Sequence, residues 1–284
     1  MNLPHLAQRL FNTPLALHPR KAEVVMAALA ERFGIAHVSR AGAWDCDEDG
    51  DFSRAARDSG YDNLEGIAVI PVQGTLVQKL GSLRPYSGMT GYDGIRQAFL
   101  SALSDPAVKG ICLDIDSPGG EVAGCFDLVD EIWRARGVKP VHAILTECAY
   151  SAAYAIASAA DRIVVPRTGG VGSIGVIVMH VDWSQHIKDD GMQVTIITYG
   201  DRKMETNPYV PLSDTARAAI QAEVDATGQL FVETVARNRG ISPEIIRNTQ
   251  AACFMAPEGV RLGLADAVAA PDAAFNELMK TAGV

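Results

Sequence analysis

No C-x-x-C pair occurs in the 284 residues, and the five cysteines (Cys46, Cys112, Cys125, Cys148, Cys253) are scattered and odd in number. That excludes a structural zinc of the usual spacing and argues against a disulfide framework. Three of the cysteines stand in apolar stretches and read as small core residues in a reducing compartment. There is no basic excess either: 25 Lys and Arg face 34 Asp and Glu, a net charge of −9. A general nucleic-acid binder would present a basic face, so that class is excluded, whereas a basic protein partner is not. No apolar run is long enough to span a bilayer, because 163–181 is interrupted by Pro166, Arg167, Gly169, Gly170, Gly172 and Gly175. The opening M-N-L-P-H-L-A-Q-R-L-F lacks the charged-then-apolar order of a signal peptide, so a soluble protein without a membrane partner is expected. Neither G-x-x-x-x-G-K-[ST] nor G-x-G-x-x-G follows the candidate strand that runs into Asp116–Gly120, and G-x-S-x-G is missing. The nearest string, V-G-S-I-G around Ser173, lacks the first glycine.

What is present is an ordinary globular composition, 48% apolar and 21% charged, sufficient to bury a core without staples. The length suits one large domain or two small ones. Apolar spacing predicts a helix from about His18 to Phe33, within an N-terminal helical segment, 1–38. A polar stretch, 39–65, reads as a flexible acidic linker. Its D-x-D-x-D-G-D run, from Asp45 to Asp51, opens like a calcium loop. Ala56 stands where the twelfth-position Glu belongs, so a solvated loop is the better reading.

From Gly66 the pattern changes to alternating strands and helices. Strands are expected at Ile67–Val72, Gly110–Ile115, Val141–Leu145, Ile163–Val165, Gly172–Met179 and Val194–Thr198. Helices are expected at Tyr92–Ser104, Val122–Arg136, Ser151–Ala159 and Ser213–Gly240, the last with Leu230, Phe231 and Val235 on one face. This alternation predicts an α/β fold with a mainly parallel sheet over 66–270, followed by a C-terminal helix or tail, 271–284.

Two local features carry chemistry. D-S-P-G-G, Asp116–Gly120, follows a buried strand, where α/β sheets place ligands. Its glycines offer N–H groups to an oxyanion, although a plain strand–helix turn uses such residues too. Ser151, in A-Y-S-A-A-Y, opens a small-residue helix and reads either as a nucleophile or as an N-cap. A serine nucleophile needs a base. Six histidines are available, and triads assemble in space, so they are not eliminated. Lys203, in G-D-R-K, is the other candidate. It acts as a base only where burial removes its charge, and most lysines are solvated instead.

Residues from about Gly66 to Val268 resemble the signal peptide peptidase A family of serine–lysine peptidases. The resemblance rests on D-S-P-G-G at 116–120, Y-S-A-A-Y around Ser151, G-S-I-G at 172–175 and the lysine three residues after Gly200. Within that family the chain looks like the capsid assembly proteases of lambda-like phages, through N-L-P-H and F-N-T-P-L near the start, P-Y-S-G-M-T-G-Y at 85–92 and R-K-M-E-T-N-P-Y at 202–209. The resemblance implies a Clp-protease/crotonase-like superhelix with no cofactor and no metal. It implies Ser151 as nucleophile, Lys203 as general base, Gly119 and Gly120 as oxyanion donors, and Ser173 as the group orienting the lysine. It further implies a homo-oligomeric ring, in which the serine and lysine of one working site can come from neighbouring subunits. Substrates would be proteins or peptides, among them scaffold, portal and capsid proteins inside a procapsid in the host cytoplasm, and the chain itself. A catalytically silent head component that binds scaffold or portal, and a crotonase-type acyl-CoA enzyme, are the rival readings.

Overall fold

The computed structural model describes residues 13–18 and 59–284. Of the helix expected over 18–33 only His18 is described, and it is not helical. Cys46 and the acidic run from Asp45 to Asp51 lie outside the described residues. The chain forms two compact units. The larger holds the described residues of Ala16–Gly175 together with Phe231–Val284, and the smaller holds Val176–Leu230 with the described residues up to Leu15, 13–15.

The larger unit is built on a mostly parallel sheet. Its strands are β1 (Leu15–Leu17, whose first residue belongs to the smaller unit), β2 (Asp62–Leu64), β3 (Ile67–Val77), β4 (Met89–Gly91), β5 (Gly110–Glu121), β6 (Val141–Tyr150), β7 (Arg162–Val165), β8 (Gly170–Gly172), β9 (Cys253–Met255) and β10 (Ala267–Val268). The main order is β10-β7-β6-β5-β3-β2, while β1 pairs with β5, β4 with β3, and β8 with both β6 and β9. Only β2–β3 and β8–β9 are antiparallel among the registered pairs. Parallel strands are covered on both faces, which is why I-C-L-D-I in β5 and V-H-A-I-L in β6 read as near-continuous apolar runs. The strand β2 occupies the end of the stretch expected to be a linker.

Crossover helices follow from amphipathic spacing. In α1 (Tyr92–Ser104) the buried residues are Tyr92, Ile95, Ala98, Phe99 and Ala102, a stripe of helical period. The carboxylate of Asp93 accepts the N–H groups of Leu80 and Gly81, both at 3.1 Å, which fixes the loop leading into it. In α2 (Cys125–Arg134) Cys125, Leu128, Val129 and Ile132 are buried. The helix α3 (Ala152–Ser158) is buried throughout and packs on β5 and β6. On the opposite face Ile67, Cys112, Ile144 and Val164 pack against Ala274 and Leu278 of the C-terminal helix, Pro271–Ala282.

The smaller unit contains α4 (Ser184–Asp189), a 3-10 turn at Asp201–Met204, and the first part of α5 (Asp214–Arg239). Ser213 caps α5, its hydroxyl accepting the Ala216 N–H at 3.1 Å. Phe231 and Val235 of α5 are fully buried, but Leu230 is exposed, so the apolar face runs through 231, 232 and 235 and not through 230. The strand expected at Val194–Thr198 is absent: these residues form no regular element and no ladder among the described residues. Among the described residues no helix is long and apolar enough to cross a membrane. Two shorter helices, α6 (Pro243–Asn248) and α7 (Ala256–Arg261), precede β10, and the C-terminal helix is α8.

Candidate active site

D-S-P-G-G is a strand, not the expected turn. Gly74 takes φ +64° and bulges β3, after which Thr75 pairs with Gly119 and Leu76 with Gly120. A Cβ on Gly120 would collide with the Leu76 carbonyl, so only glycine lets β5 continue there. Gly119 takes φ +99°, a conformation that L side chains resist. A Cβ on it would collide with the Ala16 carbonyl oxygen and lie 2.9 Å from Ser151 Cβ and 3.0 Å from the Tyr150 carbonyl. Gly119 is therefore the residue of this strand that meets the serine. Its N–H donates to Ser117 Oγ at 3.1 Å, and Ser117 in turn donates to the Gly74 carbonyl at 2.7 Å. Nothing in the sequence singled out Ser117, which is fully buried and braces the glycine strand.

Ser151 stands between the end of β6 and the start of α3, with φ +54° and ψ −121°. A non-glycine residue there stores on the order of 1–3 kcal/mol and persists only where the surroundings enforce it. Its N–H donates to the Gly172 carbonyl and its carbonyl accepts from the Ala155 N–H, both at 2.9 Å. The hydroxyl donates to the Gly175 carbonyl over 3.4 Å, a weak bond, and the residue is 1% exposed. This sharp strand–serine–helix turn has the backbone shape by which a nucleophile elbow exposes a serine. Its usual glycines are missing because Ala149 and Ala153, both fully buried, take the two flanking places. Reading A-Y-S-A-A as small-x-Ser-x-small would have revealed the elbow.

The strand β8 brings the second serine alongside. Ala149 pairs with Val171 and Tyr150 with Gly172, so Ser173 follows directly beside Ser151. Ser173 takes φ +54° as well, and its N–H donates to the Ala252 carbonyl at 2.9 Å. That conformation ends the strand at Gly172, well short of the expected Met179. Gly170 is required because a Cβ there would strike the Tyr150 hydroxyl.

Within the larger unit Gly119 thus meets Ser151, Gly120 is the next residue of the same strand against Leu76, and Ser173 follows β8 beside Ser151 in register. Lys203 belongs to the smaller unit, on the turn Asp201–Met204, and is exposed. Met192, Val194, Ile197 and Tyr199, in the segment leading to it, are exposed too, Ile197 at 93%. Cys148 lies close to the serine turn, its Sγ 3.5 Å from Asp116 Oδ1. Burial, aided by the Asp116 carboxylate, pushes its thiol up to about 12, so it is not a competing nucleophile. Among the described residues no group of His, Cys, Asp and Glu is arranged to hold a metal.

Comparison with known proteins bears on this geometry. The chain is 42% identical over 279 residues to "Capsid assembly protease C" of Escherichia phage lambda, covering 93% of this chain and 63% of that protein. It is 40% identical over 274 residues to "Head-tail preconnector protein GP5" of Enterobacteria phage P21, covering 93% of this chain and 55% of that one. The chain thus spans less than two thirds of the length of either phage relative. "Protease 4" of Haemophilus influenzae is 25% identical over 219 residues, which cover 76% of this chain and 35% of that protein. A model described as "Peptidase family S49" matches residues 134–284, a span that includes Ser151, Ser173 and Lys203. With a match over more than half of its length, the chain belongs to peptidase family S49.

Proposed function

We propose that this chain is a serine endopeptidase, with Ser151 as nucleophile and Lys203 as general base, that cleaves scaffold and head proteins during phage capsid assembly. The observation that carries the reading is the strained backbone of Ser151, +54° and −121°, set against the glycine strand at Gly119. Its hydroxyl oxygen attacks the scissile carbonyl, and the uncharged Lys203 amine takes the proton and later delivers it to the leaving amine. The same amine then activates the water that releases the acyl group. Backbone N–H groups of Gly119 and Gly120 receive the developing oxyanion, Gly119 by exchanging its bond to Ser117 Oγ for the substrate. Ser173 orients the lysine.

Lys203 supplies this base from a neighbouring copy in a homo-oligomeric ring. The reading is supported by its exposure and by the exposed apolar side chains of the segment that precedes it, which forms no ladder among the described residues. A second copy covering Ile197 and Tyr199 would remove that apolar surface from water. The similarity to the two phage proteins supports a procapsid in the host as the place of action.

A fluorophosphonate probe tests the assignment. Labelling mapped to Ser151 and lost in both Ser151→Ala and Lys203→Ala is expected. Mixing the two variants is expected to restore cleavage, because each contributes the group the other lacks. Labelling at another serine, or cleavage by Ser151→Ala protein, would overturn the assignment. A mixture that stays silent would overturn the shared site.

A further inference from the structure

The strand β1 lies where an outside peptide would have to lie. Extended peptides bind sheet proteins by adding a strand, with main-chain bonds giving affinity and alternate side chains giving specificity. The strand β1 pairs with β5, and Ala16 and Leu17, its residues in the larger unit, are at least 96% buried. The His18 N–H donates to the Pro118 carbonyl at 2.8 Å, an acceptor inside the D-S-P-G-G strand itself. The Ala16 carbonyl oxygen and Ser151 Cβ both crowd the point where a Cβ of Gly119 would be, so the segment passes directly beside the serine. The His18 ring packs on Tyr150, the residue before Ser151, with centroids 5.0 Å apart. Further back, Leu15 and Ile177 exchange two backbone bonds of 2.9 Å. Ser151 itself is 1% exposed, which no incoming carbonyl can reach unless something moves.

We infer that Leu15–His18 occupies the peptide-binding strand position beside Ser151, so that the segment shields the nucleophile and a substrate must displace it. The inference rests on Ser151 being the nucleophile. It also names the substrate class: an extended peptide of small and apolar residues, because Ala16 and Leu17, which hold the position, are 0% and 4% exposed. A charged residue in place of the alanine would have to be buried there without a partner.

The test uses the full chain carrying Ser151→Ala, so that binding is read without cleavage. The probe is a fluorescein-labelled peptide of the sequence Thr-Pro-Leu-Ala-Leu-His, followed by fluorescence anisotropy. Adding Leu15→Asp and Leu17→Asp frees the strand position. The freed protein is expected to bind the peptide at least tenfold more tightly than its parent, and a peptide with Arg in place of the alanine is expected to bind neither. Equal affinity of the two proteins, including no binding by either, would overturn the inference. Should the double variant fail to fold, His18→Pro removes the N–H given to Pro118 together with the ring on Tyr150, which loosens the same segment, and the same two outcomes apply. In protein that keeps Ser151, release is expected to speed fluorophosphonate labelling at least tenfold. If no variant is labelled while the freed protein still binds the peptide, the peptidase reading fails and the strand site stands.

Discussion

Gly119→Ala separates steric contact from backbone strain. Gly119 has φ +99°, and Gly137 has φ +83°. Alanine at either position bears the cost of the left-handed half of the map, about 1–2 kcal/mol. Gly137 has no heavy atom within 4 Å of a Cβ placed on it, so that cost is all it bears. At Gly119 the new methyl also meets the Ala16 carbonyl, Ser151 Cβ and the Tyr150 carbonyl. Two of the three are backbone atoms that cannot rotate away. Overpacking of this kind costs roughly 1–3 kcal/mol more. Urea unfolding of the two variants should therefore differ by about 1–3 kcal/mol, Gly119→Ala being the weaker. At about 2–4 °C per kcal/mol for chains of this size, melting should separate by roughly 2–12 °C. The first contact to yield is the one to Ala16, because β1 is short and its loss costs least. Hydrogen exchange should then show the His18 amide losing protection in Gly119→Ala, while the amides of β5 and β6 keep theirs. Equal stability of the two alanine variants would refute the close approach of Gly119 to the serine turn.

Three further outcomes follow from groups away from the serine. His142 is 4% exposed with no partner on Nδ1, and burial lowers its pKa, with Arg162 adding to the effect against the pull of Glu277, Asp161 and Asp266. The unfolded chain then binds a proton that the folded one refuses, so this group erodes stability as pH falls below about 6.5. His142→Leu is expected to flatten that acid slope in urea midpoints measured from pH 8 to pH 5, and an unchanged slope counts against it. Arg239 is 8% exposed and bonds both oxygens of Asp266, which also accepts the Ile163 N–H at 2.7 Å. Its removal by Arg239→Met should cost about 2–3 kcal/mol, less than a fully buried pair because Asp266 keeps some contact with water; a loss under about 0.5 kcal/mol would show the pair to be ornamental. Cys148, with its thiol pushed up to about 12, should resist iodoacetamide at pH 8 while exposed Cys253 reacts, as mapped by mass spectrometry. Equal labelling of the two would contradict the burial of Cys148.

Helix α1 was legible to the residue, because Y-D-G-I-R-Q-A-F-L-S-A-L-S carries one apolar stripe and Asp105-Pro106 ends it. The central strands were legible as well, since a parallel sheet covered on both faces writes itself as apolar runs. Pairing was not legible. Gly and Pro in D-S-P-G-G argue locally for a turn, yet the bulge at Gly74 and the bare backbone of Gly120 let β3 and β5 stay paired through it. Tertiary contact overrode propensity there, as it often does in sheets. The reverse happened at Val194–Thr198, where V-T-I-I-T has the composition of a strand but finds no ladder among the described residues. A strand is a property of two segments, and the sequence names only one at a time.

The site shows the same division between residue and geometry. Ser151 was found through the motifs around it, but its neighbours looked like filler: Ala149, Ala152, Ala153, Gly119, Gly120, Gly170. Each has a single cause. Four backbone segments, the ends of β5 and β6, the strand β8 and the segment Ala16–His18, approach one serine closely, and at Gly119 and Gly120 even a methyl would hold a neighbour off. Gly120 admits Leu76, Gly119 admits Ala16 and Ser151, Gly170 admits Tyr150, and the buried alanines 149 and 153 admit the turn itself. The strain at Ser151 follows from this crowding, because neighbours on all sides leave the chain no relaxed route from β6 into α3. A stretch of small residues that carries almost no chemical signal is therefore the part of the chain that fixes where the Ser151 hydroxyl stands.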